Sequence, residues 1–341
     1  GRGTLQCVDG DLANGYATFA GAEATANSTT NRWGLLQSII GGYLQQGLLL
    51  LGTAGTAVDF RDSNRVISIA DTQKVTSAFN TIEVRNSSSR VDWTNITMSA
   101  LGTVSKGSFV ATDNATINMT GCVFTDMATF SFQSNSTIST TTFRRCQLIT
   151  QSGSLISGCT FDSTSDATRA LLSNNPAQVQ SNKFISGGTK HGVEISVAGT
   201  YSFSGNTFTG YAASNGSTGN EAVYNNSGGA VTLNVVGGGS TPSIRNGTGA
   251  STTVNSNVSV TLTGLKNPTE VRVFTAGTTT ELAGQENITT GQFTFGVASG
   301  VSVDISILSL GYQNMRLLAY STTADTSVPI SQVIDRQYLN P

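Results

Sequence analysis

One short phrase recurs between residues 91 and 236: an apolar residue, two small or polar ones, then Asn, Cys or Thr, any residue, and an apolar residue again. Its clearest copies are Phe203-Ser-Gly-Asn206-Thr-Phe208, Val179-Gln-Ser-Asn182-Lys-Phe184, Ile156-Ser-Gly-Cys159-Thr-Phe161 and Met119-Thr-Gly-Cys122-Val-Phe124. Weaker copies are Val91-Asp-Trp-Thr94-Asn-Ile96, Ile138-Ser-Thr-Thr141-Thr-Phe143 and Val231-Thr-Leu-Asn234-Val-Val236. The central residues Thr94, Cys122, Thr141, Cys159, Asn182, Asn206 and Asn234 are separated by 28, 19, 18, 23, 24 and 28 positions. A repeat of that length around a strand-like alternating core is what one coil of a parallel β-helix requires. The chain is therefore expected to be all-β: a right-handed parallel β-helix, followed by a small antiparallel β-sandwich.

In such a coil the column Phe124, Phe143, Phe161, Phe184 and Phe208 stacks in the interior, where burial and ring contact add together. The Asn, Cys and Thr column turns a corner between sheets, and an inward Asn there bonds backbone groups of the coils above and below. Composition supports an ordered chain. Only 11% of residues are charged while 38% are hydrophobic, and the glycines and asparagines recur at set places, which a disordered low-complexity chain does not do.

The spacing also divides the chain. Residues 1–33, rich in Gly, Ala, Thr and Asn, read as an extended arm, and the Leu/Ile-rich residues 34–60 as a cap over the open end of the helix. The helix itself is expected over 61–255. Val258-Ser-Val-Thr-Leu-Thr, Glu270-Val-Arg-Val-Phe, Gln292-Phe-Thr-Phe and Val301-Ser-Val-Asp-Ile-Ser-Ile alternate strictly, which places the sandwich over 256–320. Residues 321–341 are expected to be a tail docking on a neighbouring surface. The apolar run from Gly34 to Leu51 is broken by Gln37, Gln45 and Gln46 and is too short to span a bilayer, so no membrane insertion is expected. The chain opens on Gly1, as a processed or excised piece would.

The formal net charge of −2 and the lack of a basic run argue against nucleic acid as a partner. The four cysteines, Cys7, Cys122, Cys146 and Cys159, do not read as disulfides: Cys122 and Cys159 lie two coils apart, roughly 9–10 Å, beyond bridging distance. With one histidine and no CxxC, neither a metal nor another cofactor is expected.

Val58-Asp-Phe-Arg-Asp-Ser-Asn-Arg, Val91-Asp-Trp-Thr-Asn-Ile, Cys122-Val-Phe-Thr-Asp-Met, Gly158-Cys-Thr-Phe-Asp and Gly216-Ser-Thr-Gly-Asn-Glu-Ala together resemble β-helical proteins of tailed, especially marine, bacteriophages. The resemblance covers roughly residues 35–250, and the closing region looks like the immunoglobulin- or transthyretin-like sandwiches appended to such proteins. It implies a virion structural component at the particle surface, a fibre, spike or capsid-decorating element. The implied partners are copies of itself, as a homotrimer or larger assembly, and other virion proteins. No catalytic signature comes with it.

Two other functions compete. A polysaccharide-cleaving β-helix needs paired carboxylates on one face, and the candidates are Asp126 and Asp162, with Asp166 near the latter. Against them stands turn chemistry, since Asp in such loops binds its own backbone. Lys190, the sole His191 and Glu194 could imitate an acid–base cluster, but a Gly-rich turn followed by a strand with Glu194 facing outward explains the same letters. A receptor-recognition fibre that binds host glycan without cleaving it would use exposed aromatics, for which Trp93, Tyr211, Tyr224 and Tyr312 are candidates, Trp93 facing outward if Val91 and Ile96 are buried. A nucleophile elbow, P-loop and dinucleotide fingerprint are all missing.

Overall fold

The computed structural model describes residues 4–7, 16–25, 36–70, 81–101, 107–236, 239–298, 301–322 and 325–337. The chain divides into two units. Gly1–Thr232 with Pro242–Thr253 form the first, and Leu233–Thr241 with Val254–Pro341 the second.

The first unit is a parallel β-helix. Three stacks of short strands run through it, of ten, six and nine strands, each strand pairing with the one a coil away. The ten-stranded face runs from Thr4–Cys7 to Ile244–Asn246, the six-stranded face from Asp59–Ser63 to Val179–Gln180, and the nine-stranded face from Leu36–Ile39 to Thr207–Thr209. Among the described residues, every pairing in these three faces is parallel except the hairpin between Leu36–Ile39 and Gly42–Gln45.

On the nine-stranded face the register aligns Tyr43, Ile67, Met98, Phe124, Phe143, Phe161, Phe184 and Phe208 in one column. The phenylalanine rings from 124 to 208 stack at centroid spacings of 5.4, 5.3, 4.7 and 5.1 Å. Those spacings follow the separation of adjacent parallel strands, so strand pairing and ring contact reinforce each other.

The corner before this face is built by two residues in sequence. The first is left-handed in every coil, with φ between 47° and 67° at Asn64, Asn95, Gly121, Thr140, Gly158, Ser181 and Gly205. The second forms a column of Arg65, Ile96, Cys122, Thr141, Cys159, Asn182 and Asn206, as the backbone bonds from Thr97, Val123, Thr142, Thr160, Lys183 and Thr207 to the preceding coil fix it. From Ile96 on it is buried, whereas the Arg65 side chain is partly exposed and pairs with Asp62. Asn182 Nδ2 donates to the Ile156 carbonyl (3.0 Å) and to Asn206 Oδ1 (3.1 Å), while its Oδ1 accepts from the Cys159 N–H (2.8 Å). Asn206 repeats the pattern one coil on, donating to the Val179 carbonyl at 2.6 Å.

Two members of the expected ladder fall outside this column. Thr94 is exposed, and Ile96 takes the inward place, because Trp93 and not Val91 pairs with Met119. The copy at 91–96 is thus read two residues too early. The same slip explains Trp93, expected outside but only 1% exposed. Asn234 lies in the strand Ala230–Val236, and its side chain accepts from Asn255 Nδ2 at 2.9 Å instead of lining a corner.

The expected boundaries also shift. Residues 34–60 are not a lid: Gly42–Gln45, Leu48–Leu51 and Asp59–Ser63 are already strands of all three faces. The turn at Gly41, with φ 86°, folds the apolar run into a hairpin. Within the expected arm, residues 16–25 supply the plug. Ala17 bridges to Phe60, and the helix Phe19–Thr25 follows, capped by Thr18, whose Oγ accepts from the Gly21 N–H at 3.0 Å. Phe19, fully buried, packs against Phe60, Trp93 and Tyr43, and its N–H donates to Asp62 at 2.9 Å. Residues 8–15 and 26–33 of that arm lie outside the described residues.

The second unit is a sandwich. Strands Glu281–Ile288, Thr269–Thr275, Val301–Ser309 and Met315–Thr322 form one antiparallel sheet. Facing it, Gln292–Ala298 runs antiparallel to residues 257–263, which alternate inward from Val258. The core holds Val260, Leu262, Val271, Val273, Phe293, Phe295, Val303, Ile305 and Ile307. Part of the expected tail belongs here: Thr326–Pro329 pairs in parallel with residues 260–263, and Ile330 is buried. Across the described residues no helix is long and apolar enough to cross a membrane.

Replacing Asn182 with Ala strands the Cys159 N–H and the Ile156 carbonyl in the interior, each worth about 1–3 kcal/mol. A loss of at least about 2 kcal/mol is therefore expected in urea unfolding. Thr94→Ala, at the exposed position, is expected to change stability by less than about 0.5 kcal/mol.

Candidate functional site

The carboxylates considered for catalysis occupy the opposite corner, after the nine-stranded face. There Asp126, Arg145 and Ser163 stack in successive coils, all left-handed, with φ of 54°, 48° and 51°. Asp tolerates that conformation better than most residues, so Asp126 is explained by the bend. Both of its oxygens accept from Arg145, at 2.7 Å each. Asp162 sits at the end of its strand in the next column, 3.6 Å from Arg144 and accepting from Ser163 Oγ at 2.7 Å. An arginine-bearing coil thus separates the two acids, and each is paired with it. Asp166 accepts from the N–H groups of Thr168 and Arg169, which is turn chemistry.

A second polar cluster gathers further along the stack. The strand His191–Ile195 is buried at every position, on both faces. Glu194 follows the outward alternation as expected, but it is only 4% exposed. Beside this strand the chain makes an excursion. Adjacent coils join the nine-stranded face to the ten-stranded face through a few residues, as from Thr125 to Phe130, whereas Thr209 and Val223 are joined by residues 210–222.

These residues fold into a flap. It is closed on itself by the Ala212 N–H to the Asn220 carbonyl (2.9 Å), and tied to the last coil by the Gly216 N–H to the Ile244 carbonyl (3.2 Å) and the Ile244 N–H to Asn215 Oδ1 (2.8 Å). The flap passes closely over Gly192: a Cβ there would lie 2.9 Å from the Ala222 carbonyl and 3.2 Å from Tyr211 Oη.

His191 on the strand and Glu221 on the flap are both buried. His191 Nδ1 lies 3.0 Å from the Glu221 carbonyl, and Nε2 lies 3.2 Å from an Arg245 Nη. A carbonyl only accepts and a guanidinium only donates, so the proton sits on Nδ1 and the ring is neutral. Burial pushes the His191 pKa below its ordinary 6.5, and Arg245 acts in the same direction; the Glu221 carbonyl and carboxylate and Glu194 oppose them without reversing the shift. Tyr224 stacks on the imidazole at 4.9 Å and lies under the Arg245 guanidinium at 4.9 Å.

Glu221 accepts from the Thr218 N–H (2.9 Å), Thr218 Oγ (3.0 Å) and the Gly219 N–H (3.0 Å). Burial alone would raise its pKa, but these donors outweigh it and hold the carboxyl below its ordinary value of 4.5. Glu194 meets Arg169 at 3.0 Å and accepts from Asn226 Nδ2 at 2.9 Å. Lys190 turns away and donates to the Thr164 carbonyl at 2.9 Å.

The cluster therefore holds His191 and Glu194 from one strand with Arg169, Glu221 and Arg245 from three other coils. Both imidazole nitrogens and both carboxylates are engaged, so the arrangement is a closed brace and not an acid–base centre facing solvent. Sequence reading picked out His191 and Glu194. It did not bring in Glu221, Arg169 and Arg245, although in so uncharged a chain an acidic or basic residue within or beside a strand is itself a signal.

The aromatics proposed for glycan contact are dispersed in role. Trp93 is in the core, Tyr211 packs edge-on against Phe208 with its phenol pKa raised by burial, and Tyr224 belongs to the brace. Tyr312, in the sandwich, faces Lys266 at 5.7 Å. Cys122, Cys146 and Cys159 are buried free thiols; burial raises their pKa values to about 11, about 12 and about 12. Among the described residues no group of three or more His, Cys, Asp or Glu is placed to hold a metal ion.

Glu221→Gln removes a buried carboxylate from three donors, and a loss of about 1.5–3 kcal/mol is expected in denaturant unfolding. Asp126→Asn, at a partly exposed pair, is expected to lose no more than about 1 kcal/mol. Glu221 also gives the wild-type chain a pH dependence. Its folded pKa is lowered, so its contribution is present above the ordinary value of 4.5 and is lost as the pH falls through the folded pKa; Glu221→Gln removes that part of the acid sensitivity. No protein-family model, curated protein or solved structure matches the chain.

Proposed function

We propose that this chain is a structural protein of a bacteriophage particle, a fibre, spike or capsid-decorating appendage at the virion surface that acts by self-assembly and attachment. Its partners in this reading are copies of itself and other virion proteins, with host surface glycan as a further contact.

The observation that carries the reading is the in-register stack itself. Ten and nine strands pair in sequence along two faces, and the outward column Thr97, Val123, Thr142, Thr160, Lys183 and Thr207 on the nine-stranded face is four threonines in six, with one charge. Faces of this kind pack side by side with little desolvation of charge. The pairing of Asp126 and Asp162 with arginines of the intervening coil favours a structural role for these acids over cleavage of a polysaccharide.

Light scattering of the purified full chain across a concentration series tests this. A trimer or larger species that persists on dilution is the expected result. A monomer at every concentration overturns it. Turnover of a surface polysaccharide, lost in Asp126→Asn or Asp162→Asn, would instead establish the enzymatic reading.

A further inference from the structure

We propose that the flap of residues 210–222 is a pH-sensitive latch, held shut by neutral His191 and released, together with the strand Ile244–Asn246, when that ring takes up a proton. The His191 side chain joins the three parts involved. It belongs to one strand, donates to the flap at the Glu221 carbonyl, and accepts from Arg245 on the last strand. The flap and that last strand are tied directly to each other through Gly216, Asn215 and Ile244, so loosening one loosens both.

Protonation changes the sign of the Arg245 contact. Nε2 would become a donor facing a group that has only donors, and two cations would stand 3.2 Å apart. The other neighbours do not absorb this charge in place. Nδ1–H is committed to the Glu221 carbonyl, and the Glu221 carboxylate, 3.8 Å from Nδ1, already accepts from Thr218 and Gly219. That carboxylate and Glu194 favour the imidazolium and oppose opening, but burial of the ring and the facing Arg245 guanidinium outweigh them. Glu194 is occupied by Arg169 and Asn226, and Lys190 is bonded to the Thr164 carbonyl. Tyr224 contacts both the imidazole and the guanidinium, each 4.9 Å from its ring, and Tyr211 lies beside Gly192. Moving either cation breaks this stack.

The sign follows from linkage. The closed state binds the proton less readily than the open state, where the ring has its ordinary affinity. Opening is therefore favoured as the pH falls below the ordinary histidine value of 6.5, by up to about tenfold per pH unit until the closed-state pKa is reached.

The chain has a single histidine, so its imidazole resonances are unambiguous. Nitrogen-15 NMR of the full chain at about pH 7.5 is expected to show the Nδ1–H tautomer. Hydrogen exchange of residues 211–221, corrected for intrinsic rates, is expected to lose at least about tenfold in protection between about pH 7.5 and about pH 5, in step with the ring titration. His191→Gln offers an amide donor and a carbonyl acceptor without a proton to gain, and its flap protection is expected to stay flat over that range. An Nε2–H tautomer at neutral pH overturns the proposal. So does wild-type flap protection unchanged at about pH 5, or an equal loss in a folded His191→Gln. Should that variant not fold, the wild-type tautomer and titration decide the matter alone.

Discussion

The β-helix depends on how its corners are closed. A parallel strand pair satisfies backbone groups along its length, but each bend leaves donors and acceptors facing the interior, where an unpaired one costs about 1–3 kcal/mol. From the coil of Asn95 and Ile96 to that of Gly205 and Asn206, this chain meets the demand with a repeated two-residue device. A left-handed residue turns the chain, and the next residue points in and occupies or fills the bend. Asn182 and Asn206 do so with donor and acceptor together, tying each coil to its neighbours. Where the inward residue is Ile96 or Cys122, the bend is filled by an apolar or thiol side chain instead.

That device sets the register, and register does the rest. Once one column is aligned, alternation along each strand sends the phenylalanines inward and the Thr and Ser side chains outward. The stacked rings then hold the register from inside. A slip of one residue would carry the whole column to the surface, so the two columns specify the same alignment independently.

Charges are few, and several pair between coils. Asp126 with Arg145 and Asp162 with Arg144 link neighbouring coils at one corner. A deeper case is the brace beside the 210–222 flap, where a longer connection brings Glu221 to His191 while Glu194 pairs with Arg169. An insertion of this kind leaves the stack intact while creating a local environment unlike any other coil.

By itself the sequence determined the repeat, the interior phenylalanine column and the change to a sandwich after about residue 255, because these follow from local alternation and spacing. Cys122, Cys159, Asn182 and Asn206 could be read for the same reason: their copies of the phrase are strong, and the weaker copy at Thr141 falls into line with them. At the other two weak copies, alignment from letters failed. Val91 and Trp93 are both apolar and two apart, so only pairing with Met119 decides which begins the copy. The plug at Phe19, the strands within 34–60 and the final strand Thr326–Pro329 were likewise beyond local pattern, since each is defined by a distant partner. The polar brace belongs wholly to tertiary structure. Its members come from separate coils, and what makes His191 neutral is its place between the Glu221 carbonyl and Arg245, a juxtaposition that no spacing in the chain encodes.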